Sequence, residues 1–316
     1  MDKISVIVPC YNEEEVLPLF YKEITRVAGE MKRQYIEVIF VNDGSRDGTL
    51  KLLKEFASND ERMKYISFSR NFGKESAMYA GLEHAGGDFV VFMDADMQDP
   101  PSLLPKMYDI VKNEDYDSVA TRRVDRKGEP PIRSFFARKF YKLMNRYSNT
   151  EIMDGARDFR LMNRRFADSL LELKEYNRFS KGLFGWVGFK TKWLEFENVE
   201  RAAGETKWSF WKLFKYSLEG ITAFSTAPLM IASILGIVFC LINIIFIIFI
   251  IVRKLIFNNS VDGWASMVCL ISLIGGIQLF AIGIVGQYIS KMYLEIKNRP
   301  KYLIKEDNLS NIKSNR

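Results

Sequence analysis

The chain has 316 residues, with 45 Lys or Arg against 39 Asp or Glu and a formal net charge of +6. This length is enough for one or two domains with a sizeable core. The single histidine, His84, excludes a histidine-rich metal site and makes a Ser-His-Asp triad a poor candidate. The three cysteines (Cys10, Cys240 and Cys269) are far apart in the chain, so they indicate neither a disulfide framework nor a zinc site and are typical of a reducing compartment.

Short apolar runs alternate with helical patterns in the first half of the chain. The predicted strands cover residues 4–8, 35–41, 64–68 and 88–93, and the predicted helices cover 16–31, 50–58 and 75–85. Further strands are predicted at 118–121 and 194–199, with a helix starting near Asn163. This alternation is typical of an α/β fold with a parallel, doubly wound sheet.

Three acidic residues, Asp94, Asp96 and Asp99, follow the fourth predicted strand, ahead of Pro100 and Pro101. Ligands of open α/β sheets bind at the carboxyl ends of strands, and two carboxylates two residues apart can reach one hard cation such as Mg²⁺ or Mn²⁺. A strand followed by an ordinary acidic turn is the alternative. The polar loops after the other strands should meet at the same edge, and none is a glycine-rich phosphate cradle, so we expect a metal to hold any bound phosphate.

Two uncharged stretches, residues 227–252 and 264–289, are each long enough to cross a bilayer. The second contains Gly275, Gly276, Gly283 and Gly286, which permit close helix packing and would also permit a homo-oligomer. Basic residues are more frequent after the second stretch than between the two, which predicts a cytoplasmic N-terminal domain and tail. A buried helical hairpin of a soluble protein is the alternative.

Two further segments, residues 132–147 and 207–224, mix aromatic and aliphatic residues with cations at helical spacing. This pattern is typical of helices that lie in the membrane interface, although an amphipathic helix packed on the domain has the same pattern. We therefore predict a cytoplasmic domain over 1–224 that includes these helices, two transmembrane helices within 225–290 and a cytoplasmic tail over 291–316.

Five motifs in order, at residues 6–14, 41–45, 70–74, 94–101 and 158–162, followed by two apolar spans, resemble glycosyltransferase family 2. The resemblance is closest to its polyprenyl-phosphate branch, which includes dolichyl-phosphate mannose synthase and bactoprenol glucosyltransferase-like proteins. It implies a GT-A type, Rossmann-like domain that takes a hexose from a nucleotide sugar and transfers it to polyprenyl (undecaprenyl) phosphate. It also implies Mg²⁺ or Mn²⁺ as cofactor and the cytoplasmic face of a bacterial plasma membrane as location.

The resemblance also implies roles for individual residues. Those expected to bind the nucleotide sugar are Pro9, Tyr11, Asn12, Glu14, Asp43, Gly73, Lys74, Asp94, Ala95 and Gln98. Asp94 and Asp96 are the implied metal ligands, and Asp96 and Asp158 the implied catalytic residues. The residues expected near the acceptor phosphate are Arg122, Arg126, Arg133, Arg201 and Lys207. Thr206, Trp208 and Lys181 depart from the family pattern, which puts a phosphate role for Lys181 in doubt.

Direct attack by the acceptor phosphate would invert the anomeric centre, and this phosphate is already anionic, so Asp158 is expected to orient more than to abstract a proton. UDP-glucose is the first expectation for the donor, with GDP-mannose, UDP-galactose and UDP-N-acetylglucosamine open. A processive synthase is disfavoured because no Gln-x-x-Arg-Trp signature is found. A non-catalytic membrane scaffold is the alternative of another class, and nucleic acid is not an expected partner. A separate flippase and an outer-face glycosyltransferase are expected downstream.

Overall fold

An eight-stranded mixed sheet organises the computed structural model, which describes residues 1–123, 153, 155–196, 227–257 and 263–309. The strand order is β7-β5-β6-β4-β1-β2-β3-β8. The strands are β1 (Asp2–Cys10), β2 (Gln34–Asn42), β3 (Met63–Phe68), β4 (Phe89–Phe92), β5 (Ser118–Arg123), β6 (Ala156–Asn163), β7 (Thr191–Phe196) and β8 (Ile304–Asp307).

Eight α-helices are described, and they are numbered here in chain order. They are α1 (Leu17–Glu30), α2 (Thr49–Asn59), α3 (Lys74–His84), α4 (Leu104–Asn113), α5 (Arg164–Glu172), α6 (Ser180–Trp186), α7 (Ala227–Phe257) and α8 (Trp264–Ile296). The predicted strands and helices of the first half are confirmed with shifts of one or two residues at their ends. Asn163 caps α5, since its side chain accepts a hydrogen bond from the Phe166 N–H.

The expected all-parallel sheet is wrong at two places. β1 pairs in parallel with β2 and β4, and β2 with β3, but β6 runs antiparallel to both β4 and β5. β8 also runs antiparallel to its neighbour β3. The alternation of strands and helices predicts parallel crossovers only where a short helical connection joins two strands, and β6 follows the longer segment 124–155 instead.

The sheet is buried on both faces, and this explains the continuous apolar runs of its central strands. Val6 and Val38 face one core layer with α1, α2 and α4, while Ile7 and Ile39 face the other with α3, α5 and α6. In α1 the buried positions recur at helical spacing, as Leu17, Phe20, Ile24, Val27 and Ala28. The two layers hold the strand ends, and the loops that follow them, in fixed positions.

The two apolar stretches form α7 and α8, which contain the candidate membrane spans Pro228–Phe246 and Leu270–Ile296 by length and composition. Neither span is buried within the protein, and large apolar side chains such as Ile245 and Leu279 are 67% and 71% exposed. The predicted interface helices at 132–147 and 207–224 lie outside the described residues.

After α8 the chain returns to the sheet and adds β8 at its edge. Tyr302 stacks on Phe68 with ring centroids 4.9 Å apart, and its hydroxyl donates to Glu83 at the end of α3. The Asn308 side chain accepts a hydrogen bond of 2.7 Å from the Tyr65 N–H. The sequence did not predict this strand, because the run is only four residues long and alternates with charges.

Candidate active site

The loops after β1 and β2 are joined by hydrogen bonds from backbone N–H groups to side chains. The Asn12 side chain accepts from the Arg46 N–H at 2.9 Å, and the Asn12 N–H donates to Ser45 Oγ at 2.9 Å. Glu14 accepts from the Gly48 N–H at 2.5 Å. The predicted convergence of these loops is confirmed, and it places Asn12 and Glu14 beside the loop that follows Asp43.

Asp43 connects the loop after β2 to the loop after β3. Its carboxylate is buried and accepts from the Phe72 N–H at 2.6 Å and from the Gly73 N–H at 2.9 Å. Burial raises the pKa of Asp43, and these two N–H groups only partly offset that effect. Gly73 has a φ of +98°, which favours glycine, and this turn delivers Lys74 to the first position of α3.

Lys74 lies between two carboxylates from different parts of the sheet. Its ammonium is 2.7 Å from Oδ1 of Asp94, just past the end of β4, and 2.5 Å from Oδ2 of Asp158 on β6. The antiparallel pairing of β6 with β4 brings these two acids to the same edge. The implied nucleotide-sugar residue Lys74 is therefore in direct contact with both Asp94 and the implied catalytic residue Asp158.

Lys74 and Asp158 each stabilise the charged form of the other. Burial by itself would lower the pKa of Lys74, but Asp158 and Asp94 outweigh it and raise that pKa well above its usual value. Burial would raise the pKa of Asp158, but Lys74 and Lys181 outweigh it and hold that pKa well below the usual range. Both groups are therefore charged at neutral pH, and Asp158 is a weak base in this state.

The loop after β4 has a second charged pair that sequence reasoning did not assign to the site. Asp99 is fully buried and accepts from Nε of Arg157 at 2.9 Å, while Arg157 also reaches Gln98 Oε1 at 3.4 Å. Asp96 accepts from the Gln98 N–H at 3.1 Å, and Met97 adopts a φ of +58°. Arg157 directly precedes Asp158, so this ion pair fixes the acidic loop relative to β6.

Asp94 and Asp96 fit a Mg²⁺ or Mn²⁺ site by their chemistry. Both present carboxylate oxygens, the ligands that hard cations prefer, and Asp94 already binds a cation in the form of the Lys74 ammonium. In the described part of the chain, no cluster of three or more His, Cys, Asp or Glu side chains could hold a metal. A metal at Asp94 and Asp96 would therefore need further oxygen ligands from substrate phosphates or water.

Of the five residues predicted near the acceptor phosphate, the structure describes only Arg122. Its guanidinium forms an ion pair with Glu195, the residue opposite it on β7, and its Nη1 lies 3.5 Å from Sδ of Met153. Arg126, Arg133, Arg201 and Lys207 lie outside the described residues. The grouping of these five cations remains a prediction.

The other predicted residues are found on the same edge. Pro9 pairs with Val41 near the end of β1, and Tyr11 is half-buried in the loop that follows. Ala95 is 3% exposed, and its small side chain packs in the core layer of α1 and α2 between the two metal-ligand candidates.

Comparison with known proteins gives consistent matches. The model described as "Glycosyl transferase family 2" matches residues 5–171. The chain is 41% identical over 309 residues to the SfII prophage-derived bactoprenol glucosyl transferase of Shigella flexneri, covering 98% of this chain and 99% of that protein. It is 42% identical over 303 residues to the prophage bactoprenol glucosyl transferase homolog of Escherichia coli (strain K12), covering 96% and 98% respectively.

Among solved structures, mannosyl-3-phosphoglycerate synthase from Rubrobacter xylanophilus is similar with a TM-score of 0.48 and 18% identity, over 70% of this chain and 72% of that one. The GT-A type α/β fold that the motifs implied is confirmed by the family match and by the mixed sheet. The chain belongs to glycosyltransferase family 2.

Proposed function

We propose that this protein transfers a glucose residue from UDP-glucose to a polyprenyl phosphate with inversion at the anomeric carbon. The observation that carries the proposal is the contact of Lys74 with both Asp94 and Asp158, which joins the acidic strand end to the implied catalytic carboxylate. The choice of glucose and of a bactoprenol-type acceptor is supported by the relatives at 41% and 42% identity, which are named for that reaction.

The residues of this chain would bind and orient the reactants. The loops that contain Asn12, Glu14 and Asp43 form one rigid edge, against which a nucleoside can bind. Asp94 and Asp96 would hold Mg²⁺ or Mn²⁺, which when bound neutralises charge on a diphosphate leaving group. Lys74 places a positive charge at the same position and keeps Asp158 ionised, so that Asp158 orients the acceptor.

We also propose that the protein is anchored in the plasma membrane by α7 and α8, with the catalytic domain in the cytoplasm. Their exposed apolar side chains are more stable in the hydrocarbon core of a bilayer than in water, and this supports the proposal. Because β8 follows α8 and pairs with β3, the end of α8 lies on the side of the catalytic sheet. A fluorescent protein that folds only in the cytoplasm, fused after Arg316, should fluoresce, and a dark but full-length fusion would contradict this orientation.

The experiment that tests the activity is a transfer assay with the purified full-length protein in detergent. Undecaprenyl phosphate is mixed with each radiolabelled nucleotide sugar, with Mg²⁺, Mn²⁺ or EDTA, and label is counted in the organic phase. We expect label from UDP-glucose only, and its loss with EDTA. Absence of label from every donor, in protein shown to be folded, would refute the proposal.

The variant Asp96→Asn tests the metal role within the same assay. It preserves the shape of the side chain but removes a negative charge from the pair, so we expect transfer to be lost while membrane insertion is unchanged. Asp168→Asn, an exposed carboxylate on α5, serves as the control. Full transfer by Asp96→Asn would refute the metal role of Asp96 but not the proposed transfer reaction.

A further inference from the structure

A small cavity of about 150 Å³ lies between β6, α6 and β7, and it is lined by Arg157 and Arg160, the residues on either side of Asp158 and Phe159 in the sequence. It is smaller than the roughly 300–1,000 Å³ of sites for drug-sized ligands, so it fits one chemical group rather than a nucleotide. Three of its lining residues are cations, namely Arg157, Arg160 and Lys181. The described lining residues include no Asp or Glu.

Arg160 is the most informative of the three cations. It is 3% exposed, and its Nη1 donates to the hydroxyls of Ser118 at 3.0 Å and Thr191 at 3.1 Å. Its Nε is buried and has no hydrogen-bond partner among the described residues. Burial lowers the pKa of Arg160 to about 9, and the charge of Asp158 offsets this only in part. A buried guanidinium in this state is costly unless an anion joins it.

The surroundings hold this guanidinium in place. The ring centroid of Phe184 lies 4.6 Å from its central carbon and that of Trp193 lies 5.5 Å away. Lys181 is on α6, whose first residue Ser180 donates from its N–H to the carboxylate of Glu75 on α3, at 3.1 Å to each oxygen. The helix that carries Lys181 is thus tied to the helix that begins with Lys74.

The cavity is close to the reacting groups but separate from the expected donor site. Asp158 and Arg160 are two residues apart on β6, so their side chains project from the same face of the sheet. The cavity is lined by none of the residues expected to bind the nucleotide sugar. A phosphate held there would lie near Asp158 and outside the expected donor site.

We propose that this cavity binds a phosphate monoester group, held by Arg160 and Lys181. Guanidinium groups bind phosphate oxygens through paired N–H donors, and phosphate supplies the missing acceptor for the buried Nε of Arg160. The headgroup of the lipid acceptor is the source of this group, and that assignment rests on the proposed function. Inorganic phosphate shares the same chemistry and is the other source that the experiment must separate.

Binding is measured first, without any transfer reaction. Full-length protein is reconstituted into phosphatidylcholine nanodiscs that contain undecaprenyl phosphate, undecaprenol or neither lipid. Each sample is equilibrated with ³²P-labelled inorganic phosphate, and the bound label is compared. We expect saturable binding that the lipid phosphate displaces and the lipid alcohol does not. The absence of saturable phosphate binding to the wild-type protein would overturn the proposal, and binding that the lipid phosphate fails to displace would overturn the assignment to the acceptor.

Variants then locate the site. Lys181 is only half-buried, so Lys181→Ala should fold, and we expect it to weaken phosphate binding and raise the KM for undecaprenyl phosphate by about tenfold, the effect of losing one charge-assisted bond. The KM for UDP-glucose should change less than about twofold. Lys192→Ala, which removes a cation of β7 paired with Glu114, is the matched control. Arg160→Lys should weaken binding as well, because an ammonium cannot replace the planar guanidinium.

The outcomes separate the two proposals. Wild-type protein that binds phosphate but transfers no sugar would refute the proposed function and leave the phosphate cavity standing. Wild-type protein that transfers glucose, while Lys181→Ala and Arg160→Lys keep the acceptor KM of the wild type, would refute the cavity alone. A rise in the KM for UDP-glucose in place of the acceptor would place the donor in the cavity and equally refute the assignment.

Discussion

At the scale of single residues, Lys74 is the side chain on which the candidate active site depends most. It balances Asp94 and Asp158, two acids that come together only through the pairing of β4 with β6. Without it these carboxylates would repel each other, and the pKa of Asp158 would rise.

We therefore predict that Lys74→Ala lowers kcat/KM for transfer by about 100-fold, the size expected when one preorganised charge is lost from a reacting site. The measurement is the organic-phase transfer assay over a range of pH, in which the variant should also lose activity at the acid end sooner than the wild type. Lys190→Ala, which removes an exposed lysine paired with Asp115, should be as active as the wild type. Activity of Lys74→Ala within twofold of the wild type would contradict the role given to this lysine.

A second prediction at this scale concerns Asp99 and pH. Burial raises the pKa of Asp99 to about 6, although Arg157 acts in the opposite direction. Because the pKa of Asp99 is higher in the folded than in the unfolded protein, its protonated form favours the folded state below the ordinary pKa of about 4. This contribution to the free energy of unfolding is lost as the pH rises through about 6.

In Asp99→Asn this loss cannot occur. We predict that the unfolding temperature of the variant rises relative to that of the wild type between about pH 4 and pH 7, measured without metal. Asp168→Asn should follow the wild-type profile as an exposed control. Two parallel profiles for Asp99→Asn and the wild type would show that Asp99 has no raised pKa in the folded protein.

At the scale of elements, the site depends on how closely neighbouring loops approach each other. Gly44 follows Asp43 with a φ of +66°, and a Cβ built there would lie 2.4 Å from the carbonyl carbon of Arg70. Both the backbone conformation and the close approach to the loop after β3 require glycine.

Gly44→Ala should therefore destabilise the protein by about 1–3 kcal/mol and lower the affinity for the nucleotide sugar, because the loop after β3 must move away. Thermal unfolding and the KM for UDP-glucose are the measurements. Gly29→Ala is the matched control, since a Cβ on α1 at that position meets nothing within 4 Å. Equal stability of the two variants would mean that the loops tolerate separation.

At the scale of the whole molecule, the segment after α8 joins the apolar helices to the catalytic sheet. Tyr302 stacks on Phe68 of β3 and donates a hydrogen bond of 2.6 Å to Glu83, while Glu295 at the end of α8 accepts from the N–H groups of Tyr176 and Asn177. These contacts fix the end of α8 against the loop before α6, and the chain that follows it against α3, which begins with Lys74.

We predict that Tyr302→Ala lowers the unfolding free energy by on the order of 2 kcal/mol and makes the edge at β3 accessible to protease. The measurement is thermal unfolding together with limited proteolysis of the full-length protein in detergent. Leu303→Ala, whose side chain is 54% exposed, is the neighbouring control. If Tyr302→Ala were as stable and as resistant to protease as this control, the packing of Tyr302 on β3 would not contribute to the stability of the fold.

Local patterns in the sequence determined most elements of the first half of the chain and most of the candidate site residues. Local features include the apolar runs of β1, β2, β3 and β4, the helical spacing in α1 and the polar loops after the strands. Each follows from the spacing of apolar and polar residues within one segment. The acidic pair Asp94 and Asp96 and the family membership were likewise readable from motifs and their order.

Only the tertiary structure decided which residues become partners. The antiparallel direction of β6, the contact of Lys74 with Asp158, the burial of Asp99 against Arg157 and the addition of β8 all join residues distant in the chain. Such pairings depend on the packing of whole elements, and a charge in a sequence does not show whether it will be exposed or buried. Arg160 is the clearest case, because only its position in the folded sheet shows that it is a buried cation beside a cavity.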